Sequence, residues 1–404
     1  MIFRSSVIIA HRRAKRQRCE REEDKLIIHA RKLLTPAGWR ENQLVTIRGG
    51  LIESIEPGEG GDLSADLLAP GFFDTHCHGG AGFHSLLPDR ARLEAYLLRL
   101  AECGVTDLLV SLSACASPER YRAALDFTRE AMNKQARGEL PGAFIQGVHL
   151  EGPFLNPRRC GAMDASAMPE PSVEAYEALF GGYDDIVKLV TLAPERQGAR
   201  ELTAHLLKKG VVVQAGHTDA TCEQAEAAFG WGVSSLCHTF NAARPIHHRD
   251  PGVVNAALLN DGVYCEAICD FKHLHPNTVK MIYRLKGPAR MAMISDSGTV
   301  TGLPDGEYEI DGRKYHVIDG TNRVNGGETL SCGACYLDGG VKNLISIGIP
   351  AADALRMASR TPAERLRMAS LGVMRPGARA HLAALDEALN PVFSLIGETV
   401  YPRK

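Results

Sequence analysis

Six residues of this 404-residue chain have the types and positions to hold a cation together: His76, His78, Glu151, His217, His238 and Asp296. The stretch LAPGFFDTHCHGG, residues 68–80, ends an apolar run in His76, Cys77 and His78. Side chains alternate along a strand, so the two imidazoles share one side and Cys77 faces the other, which removes it from the ligand set. Imidazole and carboxylate without thiolate suit zinc, iron or another first-row divalent ion, and not the all-oxygen cages of magnesium or calcium. Taken singly, a histidine at a strand end is an ordinary hydrogen-bonded residue and a carboxylate there an ordinary helix N-cap. Their meaning depends on the elements that carry them.

From Ser64 onward, short apolar runs alternate with helical patterns. The spacing predicts strands over 67–74, 105–113, 143–151, 186–193, 210–217, 233–240, 263–270 and 290–296. Between them lie amphipathic stretches such as SPERYRAALDFTREAMNKQ, where Ser117 can cap and Pro118 suits the first turn; several others stop at glycine. Eight strands alternating with helices imply an α/β fold, a closed (β/α)8 TIM-like barrel over residues 67–371. Barrel active sites sit at the C-terminal ends of strands. The six polar residues all fall there, so they converge on one rim.

Residues 25–66 and 372–404 are β-rich, with Gly49-Gly50 at a hairpin turn, and neither segment alone makes a good sheet. They are expected to meet in a small β-sandwich domain built from both chain ends, and residues 305–330 read as a β-hairpin excursion. Residues 1–24 have too few apolar residues together for a signal peptide; their arginines suit a transit peptide, but the acidic run that follows favours a disordered extension or an overlong start. A net charge of −2 and 45% hydrophobic residues describe a globular protein with no basic surface for nucleic acid, and no run long enough to span a membrane. Eleven cysteines without a disulfide framework fit a reducing cytoplasm. Cys332 and Cys335 form a CGAC motif, a zinc or redox half-site that lacks the second pair a zinc ribbon needs.

At this level of detail the sequence resembles the N-acetylglucosamine-6-phosphate deacetylases of the amidohydrolase superfamily. The resemblance is carried by PGFFDTHCHGG, GVHLEGPFLNPRRCGAM, QAGHTDAT, CHTFNAARPIHHRDPG, ICDFKH and MISDS, in that order. It implies metal-dependent hydrolysis of the acetamide of an N-acetylated amino-sugar 6-phosphate, N-acetylglucosamine 6-phosphate before others. Glu151, His217 and His238 would hold one metal, and His76 and His78 a second that shares Glu151, so that one or two ions, zinc or iron, are implied. By the same resemblance Asp296 takes the water proton and delivers it to the departing amine. Asn241 and Ala242 meet the sugar phosphate, Arg249 pairs with it, and His273 contacts the sugar. A homodimer is implied, with Arg249 or a neighbour reaching across the interface.

The chain departs from the family pattern at Met163, where a polar residue usually helps polarise the acetamide carbonyl; a thioether cannot do this. LSCGAC and CDFKH also replace the usual motifs near the sugar. Two other readings therefore stand beside the first. One is an amidohydrolase that acts on a different acyl group or sugar or deaminates a ring, with Arg249 arguing against any substrate that lacks an anion. The other is a non-catalytic sugar-phosphate-binding relative, which would bind without releasing acetate.

Overall fold

The computed structural model of the protein describes residues 25–310, 312–323 and 330–404; the predicted extension 1–24 lies outside them. Eight parallel strands run in chain order around one sheet: Phe72–Cys77, Val105–Ser113, Phe144–Glu151, Val187–Leu192, Val212–Ala215, Ser235–Leu236, Tyr264–Ile268 and Met291–Ile294. The last strand closes on the first. The Asp296 amide donates to the His76 carbonyl at 2.9 Å, and the His78 amide to the Ser297 carbonyl at 2.7 Å. This is the expected (β/α)8 barrel.

Local chemistry sets the helices as the spacing predicts. Ser117 Oγ accepts from the Arg120 amide at 3.2 Å, Pro118 opens the helix Pro118–Ala136, and Tyr121, Ala124, Leu125, Thr128 and Ala131 form its buried stripe. Thr221 and Gln224 make a capping box for the helix Cys222–Trp231, which stops at Gly232 in the left-handed region.

The expected first strand, 67–74, is in fact the junction of two. Leu63–Pro70 pairs with Leu26–Thr35 in the small sheet, whereas Phe72–Cys77 starts the barrel. Because both sheets bury this segment, its apolar run is continuous and hides the break. The crossing point is Gly71, where a Cβ would lie 2.1 Å from Thr106 Oγ1. Strands five and six are also shorter than expected, leaving His217 and His238 on the turns just beyond them.

The two flanking segments combine in one seven-stranded sheet, ordered Thr399–Pro402, Pro391–Ile396, His381–Leu385, Leu63–Pro70, Leu26–Thr35, Gly38–Arg48 and Leu51–Pro57. Its far edge curls back: the Ile52 amide donates to the Ala378 carbonyl and the Ala380 amide to the Gly50 carbonyl, both at 2.9 Å. The curl encloses a core of Ile28, Leu33, Val45, Ile47, Leu68, Leu382 and Leu395.

Two further features position the site. The N-terminal end of the barrel is filled by Phe73, Leu109, Leu189 and Val212, and Ala363 and Leu366, from the helix Arg360–Arg365 and the residue after it, pack onto them. The excursion after strand eight is a small antiparallel sheet of Gly306–Ile310, Arg313–Ile318 and Thr321–Asn322, and Tyr315 and Leu330 face the cavity at the other end of the barrel.

Candidate functional site

The C-terminal rim opens into a cavity of about 850 Å³, with His78, Glu151, His217, His238 and Asp296 among its walls. His76 lies fully buried just beneath. Glu151 ends strand three and joins two groups of donors. On one side, Glu151 Oε1, His217 Nε2 and His238 Nε2 stand 3.0–3.1 Å from one another. On the other, His76 Nε2 and His78 Nε2 are 3.2 Å apart, and each lies 3.2–3.5 Å from a Glu151 oxygen and from Asp296 Oδ1. His217 and Asp296 both hold left-handed backbone, with φ of 46° and 49°, which turns their side chains over the barrel mouth.

The outer nitrogens test whether a cation fits. His217 Nδ1 donates to the Arg159 carbonyl at 2.8 Å, and His76 Nδ1 faces the Glu266 carboxylate at 3.2 Å. In a neutral ring a proton held on Nδ1 leaves Nε2 as a bare lone pair, so His217 and His76 can turn acceptor nitrogens inward, toward His238 and His78 at 3.0–3.2 Å. So close a set of nitrogens and carboxylate oxygens is stable only with positive charge in its midst, as protons on the rings or as a bound cation. Four ligands at about 2.0–2.1 Å from a tetrahedral ion would be about 3.3–3.4 Å apart, close to the spacing found here. His78 Nδ1 meets Ser113 Oγ at 3.0 Å.

The electrostatics agree. Burial alone would push the Glu151 carboxyl up, but His76, His78 and hydrogen bonds from His217 and His238 hold it well below the usual carboxylate range. At His78, burial opposes charge, yet Glu151 and Asp296 raise the imidazole to about 9. Ring protons and a bound cation are therefore alternative ways to balance these carboxylates, and a cation that binds would displace the protons.

Asn241, Ala242 and His273 line the cavity; His273 Nδ1 is held by Asp270 Oδ2 at 2.8 Å. Arg249 does not reach it. That side chain is exposed on the 245–250 loop, away from the walls. Met163 is a wall residue whose sulfur accepts from the Ala114 amide at 3.3 Å. Cys77 turns away, its sulfur 3.2 Å from the Leu109 carbonyl, and Cys332 lines the cavity beside Val300 and Val317 without joining the donor groups, whereas Cys237 Sγ lies within 4.8 Å of donor atoms of Glu151 and His238 on one side and of His76 and Glu266 on the other. The sequence reading missed Ser113, Cys237, Glu266 and Gln214. The last two had a signal, a charged and an amide residue in the middle of otherwise apolar strands.

A closed parallel barrel with imidazoles and carboxylates gathered at its C-terminal rim defines a barrel hydrolase of the metal-dependent kind. Residues 67–401 match the profile of the amidohydrolase family, and residues 25–63 that of the formimidoylglutamate deiminase HutF N-terminal domain. An N-acetylgalactosamine-6-phosphate deacetylase of Escherichia coli O157:H7 is 33% identical over 90% of this chain and 96% of its own length. An N-acetylglucosamine-6-phosphate deacetylase of Lysinibacillus sphaericus is 31% identical over 90% and 94%. The structure of a mutant Mycobacterium smegmatis N-acetyl-D-glucosamine-6-phosphate deacetylase, in complex with N-acetyl-D-glucosamine-6-phosphate, superposes with a TM-score of 0.85 at 30% identity, covering 94% of this chain and 99% of that one. This chain belongs to the N-acetylglucosamine-6-phosphate deacetylase family of the amidohydrolases.

Proposed function

We propose that the protein hydrolyses the acetamide of N-acetylglucosamine 6-phosphate, releasing acetate and glucosamine 6-phosphate. The observation that carries this reading is Glu151 shared between two donor groups, with Asp296 beside one of them. Glu151, His217 and His238 would hold one ion and His76 and His78, with Glu151, a second; zinc or iron suits these donors. Such an ion, when bound, lowers the pKa of water toward neutrality and polarises a carbonyl oxygen.

The chain's own residues do the rest. Asp296 Oδ1 accepts a proton from the attacking water as its oxygen bonds to the acetamide carbon, then gives that proton to the nitrogen as the C–N bond breaks. Asn241 and Ala242 meet the phosphate and His273 a sugar hydroxyl, with Asp270 holding the imidazole in place. Met163 offers no hydrogen bond to the carbonyl, so polarising it would fall to the bound ions, and the intact His76 and His78 pair supports two. The exposed Arg249 would meet a phosphate only across the interface of a homodimer. The ten described cysteines are all unbonded, which supports a reducing cytoplasm; among the described residues no helix is long and apolar enough to cross a membrane.

The test is acetate release by zinc- or iron-loaded protein from N-acetylglucosamine 6-phosphate, its galactosamine epimer and unphosphorylated N-acetylglucosamine. Turnover of the 6-phosphates alone is expected, and failure on both phosphates would sink the reading. The galactosamine epimer is the second reading, favoured by the 33% identity to the Escherichia coli enzyme named for it; the ratio of kcat/KM values separates the two.

A further inference from the structure

The barrel interior holds a guanidinium that the proposed chemistry does not use. Arg365 ends the helix Arg360–Arg365, which packs on the apolar floor of the barrel, and its side chain is fully buried. Nη1 donates to Glu266 Oε1 at 2.6 Å and to Gln214 Oε1 at 2.9 Å, and Nη2 to Thr75 Oγ1 at 2.6 Å. Glu266 is itself fully buried on strand seven. Its other oxygen, Oε2, faces His76 Nδ1 at 3.2 Å and accepts from the His238 backbone amide at 3.2 Å. Cys237 Sγ, 3.6 Å from the same Nδ1, is the weaker competitor.

Enclosing an arginine and a carboxylate in a barrel core carries a large desolvation cost, and packed apolar side chains fill such a space without it. What this pair adds is direction. Held also by Gln214 and Thr75, the guanidinium gives Glu266 one charge-assisted hydrogen bond that fixes one carboxylate oxygen, and so where the other one points. Through one carboxylate, Arg365 thus touches both donor groups: the imidazole of His76 in one and the backbone of His238 in the other. We infer that Arg365 is a positioning residue for the cation cluster, holding Glu266 so that His76 keeps its proton on Nδ1 and presents Nε2 to the ion. The inference rests on the cation reading of the rim and adds to it a residue reached from the opposite end of the barrel.

The test is the dissociation constant for zinc, by competition with a chromophoric chelator, and the visible absorption of the cobalt-substituted protein. The set is wild type, Arg365→Lys, Glu266→Gln, their double mutant and Leu189→Ala. Arg365→Lys keeps the charge but loses the planar group that spans Glu266, Gln214 and Thr75, and Glu266→Gln places an amide against Nδ1. Each should weaken zinc binding by about 10- to 100-fold, shift the cobalt spectrum, and combine with the other non-additively. Leu189→Ala removes core packing from the floor and should lower the melting temperature while leaving zinc affinity within about twofold. If Arg365→Lys does not fold, Glu266→Gln and the wild type still decide the link to His76. Tight zinc binding by wild type with both polar variants unchanged, or effects that simply add, would overturn the inference. A wild type that binds no zinc, cobalt or iron would instead overturn the cation reading, and this inference with it.

Discussion

Replacing Gly333 by alanine should disable turnover without touching any proposed ligand. The Gly333 amide donates to the Asp296 carbonyl at 2.7 Å, and a Cβ at this position would sit 1.9 Å from the Ser295 carbonyl oxygen and 3.1 Å from its carbon. Those neighbours are backbone, with no flexible tip to swing aside. A carbon–oxygen contact settles at about 3.3 Å, so the two segments must part by about 1.4 Å. Asp296 is hydrogen-bonded to the moving segment and already holds left-handed backbone, so the carboxylate moves with it. A displacement near 1 Å costs on the order of 100-fold in rate, or about 2.7 kcal/mol in the barrier, and the overpacking adds about 1–3 kcal/mol of instability. The assay is steady-state acetate release with metal content and thermal melting measured on the same sample. The expected result is kcat down about 100-fold with metal retained. Gly230→Ala is the control. It lies exposed near the end of the helix Cys222–Trp231 with nothing within 4 Å of the new methyl, and should stabilise by about 0.5–1 kcal/mol at unchanged kcat. A Gly333→Ala enzyme within about threefold of wild-type kcat would refute the reasoning.

Asp296→Asn should reduce kcat by about 10²- to 10⁴-fold with the metal still bound; loss of metal along with activity would place Asp296 among the ligands instead. Asp270 supplies a pH test. Burial would raise its carboxyl, but the hydrogen bond and charge of His273, with the His273 and Ala334 amides, lower it from 3.8 to about 2. A depressed acid stabilises the fold above its unfolded pKa and loses that contribution as pH falls through the folded value. Urea unfolding should therefore show Asp270→Asn less stable than wild type by roughly 2 kcal/mol at pH 7, the gap closing between about pH 4 and pH 2. A gap that persists to pH 2 would show that the loss is packing and not charge. Removing metal with a chelator should abolish turnover reversibly, and refilling should restore it while stabilising the fold by about 4 kcal/mol at a thousandfold excess over Kd; turnover that survives complete removal would contradict the proposed chemistry.

The barrel and its rim were readable from sequence for one reason: the strands are short apolar runs, and the functional residues are polar ones placed where those runs stop. His76, His78, Glu151, His217, His238 and Asp296 all stand out in this way. The first strand was misplaced because residues 68–70 and Phe72–Cys77 are both buried, so hydrophobicity carries no mark of the change from one sheet to the other. Strand six was overestimated because only Ser235–Leu236 pairs, while the following residues bend to aim His238. Arg365 was invisible, since a late helix gives no local sign that its last arginine enters a barrel more than sixty residues behind it in the chain. Arg249 was recognisable by resemblance but not by place, because what a loop faces depends on partners that the chain's own pattern does not encode.

The seven-stranded sheet also constrains the order in which the molecule can be completed. Leu63–Pro70 pairs on one side with Leu26–Thr35 and on the other with His381–Leu385, which leaves the ribosome only after the whole barrel has been synthesised. Until then one margin of Leu63–Pro70 displays unpaired amides and carbonyls beside Leu67 and Leu68, the kind of margin onto which another nascent chain can add. Closing so long a loop costs little extra free energy but slows the search. The last-made strands therefore act as a seal, and polypeptides cut short before residue 381 should be removed by aggregation or proteolysis even where their cation-binding rim is already complete.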